Sequence, residues 1–249
     1  MKKILLVCAL SAGLLACSRV EEALPPPRTE PSAPQSSSPN AADLCPNEEE
    51  ATAIGTEEGS QSEHDVDGDG ASEQIFVAKD PEGPPGCQAF LGLVGDSFGT
   101  LIAPVDDELA FELGLPAVSG VAEVDGLAPK EIIVDVASGA STAFAGLFSV
   151  QDGRLVRRTL EGDSPYARSF PYGGSVGHLE GSDCSGPGTL VITVAIPRGK
   201  GYLVHRRFFK SDGSAFILDL SLSEKQIVVS SALDDIPELS GALFGSCPR

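Results

Sequence analysis

The chain has 249 residues, is 41% hydrophobic with no tryptophan, and carries a formal net charge of −19 at pH 7. That charge excludes nucleic acid as a natural partner, because an acidic surface repels phosphates. The length admits one sizeable domain with flanking segments.

The chain opens with the basic Met1-Lys2-Lys3, and residues 4–15 are a short apolar run. Such a run is too short to span a bilayer and fits the apolar region of an export signal. It ends in Leu14-Leu15-Ala16-Cys17, which resembles the lipobox of bacterial lipoproteins. The resemblance implies a signal peptide over residues 1–16, cut before Cys17. It also implies an acylated new amino terminus and diacylglycerol on the Cys17 thiol. Acyl chains partition at ~0.8 kcal/mol per buried CH₂. The expected location is therefore the extracytoplasmic face of a bacterial cell membrane, held there by lipid; secretion with cleavage nearby is the rival. Residues 17–43 come next as a tether containing "EEALPPPRTEPSAPQSSSPN". Pro, Ser and Glu without apolar periodicity predict disorder with extended polyproline character. Residues 44–249 remain for a single folded domain.

Cys8 leaves with the signal and Cys17 carries lipid, so Cys45, Cys87, Cys184 and Cys247 remain. An even number outside the cytoplasm implies disulfides. Zinc is the rival, but there is no CxxC and no nearby histidine. Three pairings are open.

Asp67-Gly68 recurs as Asp125-Gly126, and Asp183 stands one further step on, each 58 residues apart. The segments after these aspartates also match. The first copy runs Glu73 into "QIFVAKD", then "CQAFLGLV", a turn at residues 95–99 and "TLIAPV". The second runs Glu131 into "IIVDVA", then "TAFAGLFSV", Gln151-Asp152-Gly153 and "RLVRRTL". The third runs Thr189 into "LVITVAI", then "GYLVHRRFF", Ser211-Asp212-Gly213 and "SAFILDLS". Runs of Val, Ile, Phe and Thr separated by Asp-Gly turns predict strands and hairpins. "LPAVSGVAEVDG" from Leu115 echoes "IPELSGALFGSC" from Ile236. In that register Cys184 and Cys247 both fall at the position of Gly126, which favours joining them as a clasp and Cys45 to Cys87. The expected fold is all-β and mainly antiparallel. Three degenerate ~58-residue repeats would form a propeller-like stack, a sandwich or a barrel. The best helix candidate is a short turn over residues 106–114, with its acidic start at the favourable dipole end.

The first loop reads "HDVDGDGASEQIF", residues 64–76. It resembles the DxDGDGxxE loops of FG-GAP and VCBS-type repeat proteins. The resemblance implies a structural Ca²⁺ held by the side chains of Asp65, Asp67 and Asp69, the carbonyl of Ala71, and Glu73. The chemistry is consistent: Ca²⁺ takes six to eight hard oxygens, and glycines let a chain wrap the ion. A turn closed by its own aspartates is the rival. The chain departs from the family in that its Phe-Gly and Gly-Ala-Pro marks do not flank the loop: Phe98-Gly99 and Ala103-Pro104 lie after it, in the wrong order. The second loop, at Glu123, Asp125 and Leu127, has one oxygen fewer, and the third, around Asp183, has lost most.

Residues 18–150 contain four Lys/Arg against twenty-five Asp/Glu, while residues 151–249 contain eleven of each. Arg198, Lys200, Arg206, Arg207 and Lys210 form a local basic cluster on a predicted hairpin; balanced charge on an exposed strand accounts for it, with an anionic wall polymer or lipid headgroups as the rival. Gly173-Gly174-Ser175-Val176-Gly177 matches G-x-S-x-G with His178 beside it, the motif of a serine hydrolase. That motif needs a strand-to-helix turn, and the flanking sequence offers none. A solute-binding lipoprotein needs alternating strands and helices, which are absent. His64, His178 and His205 lack ligand spacing. The sequence therefore points to an anchored, non-enzymatic β-repeat domain that binds or scaffolds an envelope protein or polysaccharide.

Overall fold

The structure is a computed structural model and describes residues 45–58, 60–105, 116–162, 164–175 and 177–249. The expected signal peptide, Cys17, the tether and the helix candidate over residues 106–114 lie outside the described residues.

Helix α1 (Glu48–Glu58) leads into a four-stranded antiparallel meander. Its strands are β1 (Ser60–His64), β2 (Glu73–Lys79), β3 (Ala89–Gly95) and β4 (Gly99–Pro104), paired in that order. The second meander comprises β5 (Ala117–Ala122), β6 (Glu131–Ser138), β7 (Thr142–Gln151) and β8 (Arg154–Arg157). Next come two strands outside the repeat, β9 (Thr159–Glu161) and β10 (Phe170–Ser175). The third meander is β11 (His178–Gly186), β12 (Thr189–Arg198), β13 (Gly201–Ser211) and β14 (Ala215–Val229). Strand β10 pairs with both β7 and β11, so the second and third meanders share one sheet, and β9 pairs parallel to β14. The sequence repeat thus has a structural meaning. Glu73, Glu131 and Thr189 open β2, β6 and β12, and the Asp-Gly turns link the last two strands of the second and third copies.

The meanders pack face to face as an all-β, sandwich-like stack, with no closed barrel. One core lies between the first and second, where Ile75, Val77, Leu91 and Leu93 meet Val121, Ile132, Val134 and Phe148. Another lies between the second and third, where Ile133 and Leu147 meet Leu190, Ile192 and Phe209. Successive side chains on a strand face opposite ways. Ile132 and Val134 therefore serve one core and Ile133 the other, and the run Ile132-Ile133-Val134 is apolar without alternation because both faces of β6 are buried there. Gly92 sits under the Phe76 ring: a Cβ there would lie 2.1 Å from Cζ. The two α/β lobes of a solute-binding protein are not formed by the described residues.

Helix α1 was not anticipated, because its apolar stripe is thin; it buries Ala51 and packs Ile54 against a small core of Phe76, Ala78 and Phe90. It is fixed at its start instead. Asn47 Oδ1 accepts the amides of Glu49 and Glu50 at 3.1 Å each, and three glutamates occupy the first turn, where the helix dipole favours them. Residues 236–247 echo residues 115–126 in sequence but form no strand. They pass through a 3-10 turn at Pro237–Leu239 and end with Pro248 O accepting the Glu123 amide at 2.9 Å.

Both disulfides form in the expected pairing, Cys45–Cys87 and Cys184–Cys247, with Cα separations of 5.2 and 5.0 Å. The second fastens β11 to the closing segment. Among the described residues, no helix is long and apolar enough to cross a membrane.

Candidate metal centre

The three repeat loops abut in a row. In the first, between β1 and β2, alternating aspartates fold back on the chain. Asp65 Oδ1 accepts the Gly68 amide at 2.7 Å, Asp67 Oδ1 the Asp69 amide at 3.0 Å, and Asp69 Oδ1 the Ala71 amide at 2.7 Å. Gly68 and Gly70, at φ 82° and 91°, supply the left-handed turns this requires. Glu73 is buried, and its Oε2 accepts the Val66 amide at 2.7 Å, tying the loop's end to its start.

One oxygen each of Asp65, Asp67 and Glu73 lies within 4.8 Å of the others. Asp69 stands outside this group, its carboxylate turned to the Ala71 amide, and Ala71 is exposed. The loop therefore gathers three of the four carboxylates that the sequence singled out. Two partners come from elsewhere. The Ser97 hydroxyl, in the β3–β4 turn, donates to Asp67 Oδ2. That bond, together with the weaker effect of the Asp69 amide, holds the Asp67 carboxyl below its ordinary value. Lys130, from the second loop, donates its Nζ to Asp65 O at 2.8 Å and stands 3.8 Å from Asp65 Oδ2.

The second loop repeats the backbone device and changes the charge. Glu131 Oε2 accepts the Val124 amide at 2.8 Å, as Glu73 does in the first copy. Here a buried guanidinium closes the site: Arg158 Nη1 is 3.4 Å from Asp125 Oδ2. Arg158 also donates to Gly213 O at 2.6 Å and Ser211 Oγ at 2.8 Å, and lies 4.9 Å over the Phe216 ring. Glu131 Oε1 is buried without a hydrogen-bond partner. Burial, and then the charge of Asp125, push the Glu131 carboxyl up to about 8.

In the third copy Asp183 lies within β11, where it accepts the Ser246 amide at 2.8 Å and hydroxyl at 2.7 Å. Backbone contact joins it to the second loop, since a Cβ on Gly126 would stand 2.8 Å from Gly188 N. Only the first loop thus presents a group of three carboxylates among the described residues. Its donors are all hard oxygens, which suits Ca²⁺ or Mg²⁺ better than a thiolate- or imidazole-preferring metal.

The other sequence candidates resolve differently. Ser175 ends β10 and faces His178 across a tight hairpin, and its Oγ accepts the Gly177 amide at 3.2 Å. His178 Nε2 is 2.8 Å from Thr142 Oγ1 and 3.9 Å from Glu180 Oε2. Both contacts use one ring nitrogen, whereas a triad needs one for the nucleophile and the other for the carboxylate. His64 ends β1 opposite Glu73. Two members of the basic cluster are neutralised: Arg206 pairs with Glu238 and, at 2.8 Å, with Glu224, while Lys210 pairs with Asp219 at 2.8 Å.

No family model, curated protein or solved structure matches the chain.

Proposed function

We propose that the protein is a membrane-anchored, extracytoplasmic lipoprotein. Its β-repeat domain binds or scaffolds an envelope protein or polysaccharide, without catalysis, and Ca²⁺ stabilises the first loop. The anchor rests on residues 14–17. The calcium reading rests on one observation: Asp65, Asp67 and Glu73 gather in the first loop, while the equivalent Asp125 of the second loop meets the buried Arg158 guanidinium. Three carboxylates so close repel one another unless a cation or solvent screens them. Lys130 meets only part of that need. A Ca²⁺ bound by Asp65, Asp67 and Glu73 completes its shell with backbone oxygens and water, and ties β2 to the β3–β4 turn through Ser97.

Thermal melting tests this. An extracytoplasmic site has a Kd on the order of 10⁻⁴–10⁻³ M. At ten times Kd the ion adds about 1.4 kcal/mol, which is roughly 3–6 °C in Tm for a domain of this size. Millimolar Ca²⁺ should therefore raise Tm relative to EGTA, Mg²⁺ should do so less, and Asp67→Ala should remove the difference. Asp125→Ala should lower Tm under both conditions and leave the calcium difference intact. Equal melting of the wild-type chain in EGTA and Ca²⁺ means the loop is a turn and nothing more.

A further inference from the structure

The third meander leaves part of one face bare. Strands β12, β13 and β14 align in rows: Val194, His205 and Lys225; then Ile196, Leu203 and Ile227; then Arg198, Gly201 and Val229. Rows two residues apart share a face, so these three lie on one side. The opposite side, through Ala195, Val204 and Val228, is covered by Leu233, Ile236 and Leu239 of the chain's own C-terminal turns. The first side is covered farther in, where Leu190, Ile192 and Phe209 meet the second meander and residues 164–166 lie beside Val194 and His205, and Leu203 at the centre of the middle row is itself buried. Beyond that, Ile196 is 43% exposed, Ile227 67% and Val229 62%. Clustered aliphatic side chains on a bare sheet face mark an interaction surface.

The charge on this surface indicates what it meets. Arg198, Lys200 and Lys225 are exposed around the patch, none has an ion pair among the described residues, and the three rows hold no acidic side chain. The rest of the chain is strongly acidic, at −19 overall. A two-fold pairing of copies through this face would set the same three cations against themselves. A surface of phosphates over an apolar layer satisfies both features at once.

We propose that this face docks on an anionic phospholipid bilayer, its aliphatic side chains entering the headgroup boundary while Arg198, Lys200 and Lys225 meet lipid phosphates. Its biological setting rests on the anchored reading above, since a tether supplies the high local lipid concentration that lets a weak surface act. Its test does not depend on the anchor. Residues 39–249 form one compact unit that holds every described core cluster and both disulfides. That unit, without the signal and Cys17, is sedimented with vesicles of phosphatidylcholine alone or with about 30% phosphatidylglycerol. It should bind the anionic vesicles about tenfold more tightly, with the gain screened at high salt. Ile227→Glu and Lys200→Glu should each erase most of that gain at unchanged Tm, while Leu222→Glu, exposed on the same strand outside these rows, should not. Equal affinity for both vesicles, no binding to either, or indifference to Ile227→Glu overturns the proposal. So does a lipid-free dimer that Ile227→Glu disperses, because the face is then an interface between copies.

Discussion

Glu131 and Glu73 hold equivalent positions and perform the same task, accepting the amide at the start of their loops, and Glu131 has the charge of Asp125 beside it. Burial and the neighbouring Asp125 raise its carboxyl from 4.5 to about 8. An acid whose folded pKa is raised favours the fold while protonated. Its contribution is full below about 4.5 and is lost as pH rises through about 8. His205 acts the other way, because burial and then Lys225 lower its pKa and favour the neutral ring. The raw pH slope therefore mixes two groups, and a variant separates them. Glu131→Gln keeps an acceptor for the Val124 amide and offers a permanent donor toward Asp125. Denaturant midpoints between pH 5 and 8.5 should fall with pH more steeply in the wild-type chain than in this variant. Parallel slopes would show that Glu131 is ionised throughout. The lowered aspartates, Asp67, Asp212 and Asp219, lose their contribution only as pH falls below the ordinary carboxylate range, outside this window.

The strands and their hairpins were legible at the scale of the element because two signals agreed. Val-, Ile- and Phe-rich runs marked the strands, and Asp-Gly turns at residues 152–153 and 212–213 fell between them. Helix α1 was missed although its signal was present: Asn47 with Glu50 three residues later is a capping pattern, but the apolar periodicity that marks most helices is weak here. The loop was legible as a loop but not as a finished site. Asp69 turns its carboxylate to the Ala71 amide, while Ser97 and Lys130 reach Asp67 and Asp65 from 30 and 65 residues away. No local pattern announces such partners, and none announced Arg158. The closing segment echoes residues 115–126 in sequence without forming a strand, and Cys184–Cys247, the Pro248 carbonyl and Arg249 Nη1 on Val121 O fasten it to the second and third meanders. Replacing both Cys184 and Cys247 by Ser should cost about 2–5 kcal/mol in denaturant unfolding and admit protease after residue 230. Unchanged stability and cleavage would mean that the backbone contacts alone hold the clasp.

The described domain is acidic, and the outer end of its third meander carries the cationic, aliphatic face of β12–β14. That asymmetry orients the domain at a surface but supplies little hold, since each exposed charge is screened by salt. Durable attachment requires acyl chains: one gives marginal, reversible binding, and two or three hold a protein in place. Location should therefore depend on Cys17 and not on the tip. In detergent phase partition the wild-type protein should enter the detergent. Cys17→Ala should move to the aqueous phase, or accumulate as a precursor heavier by the residues before Cys17. Ile227→Glu should stay in the detergent, because it removes only the orienting contact. The two variants separate anchor from surface, since each proposal can fail while the other stands. A Cys17→Ala chain that remains in detergent at the mature mass would remove the lipid anchor and leave the bare face on β12–β14 as the membrane contact still to be tested.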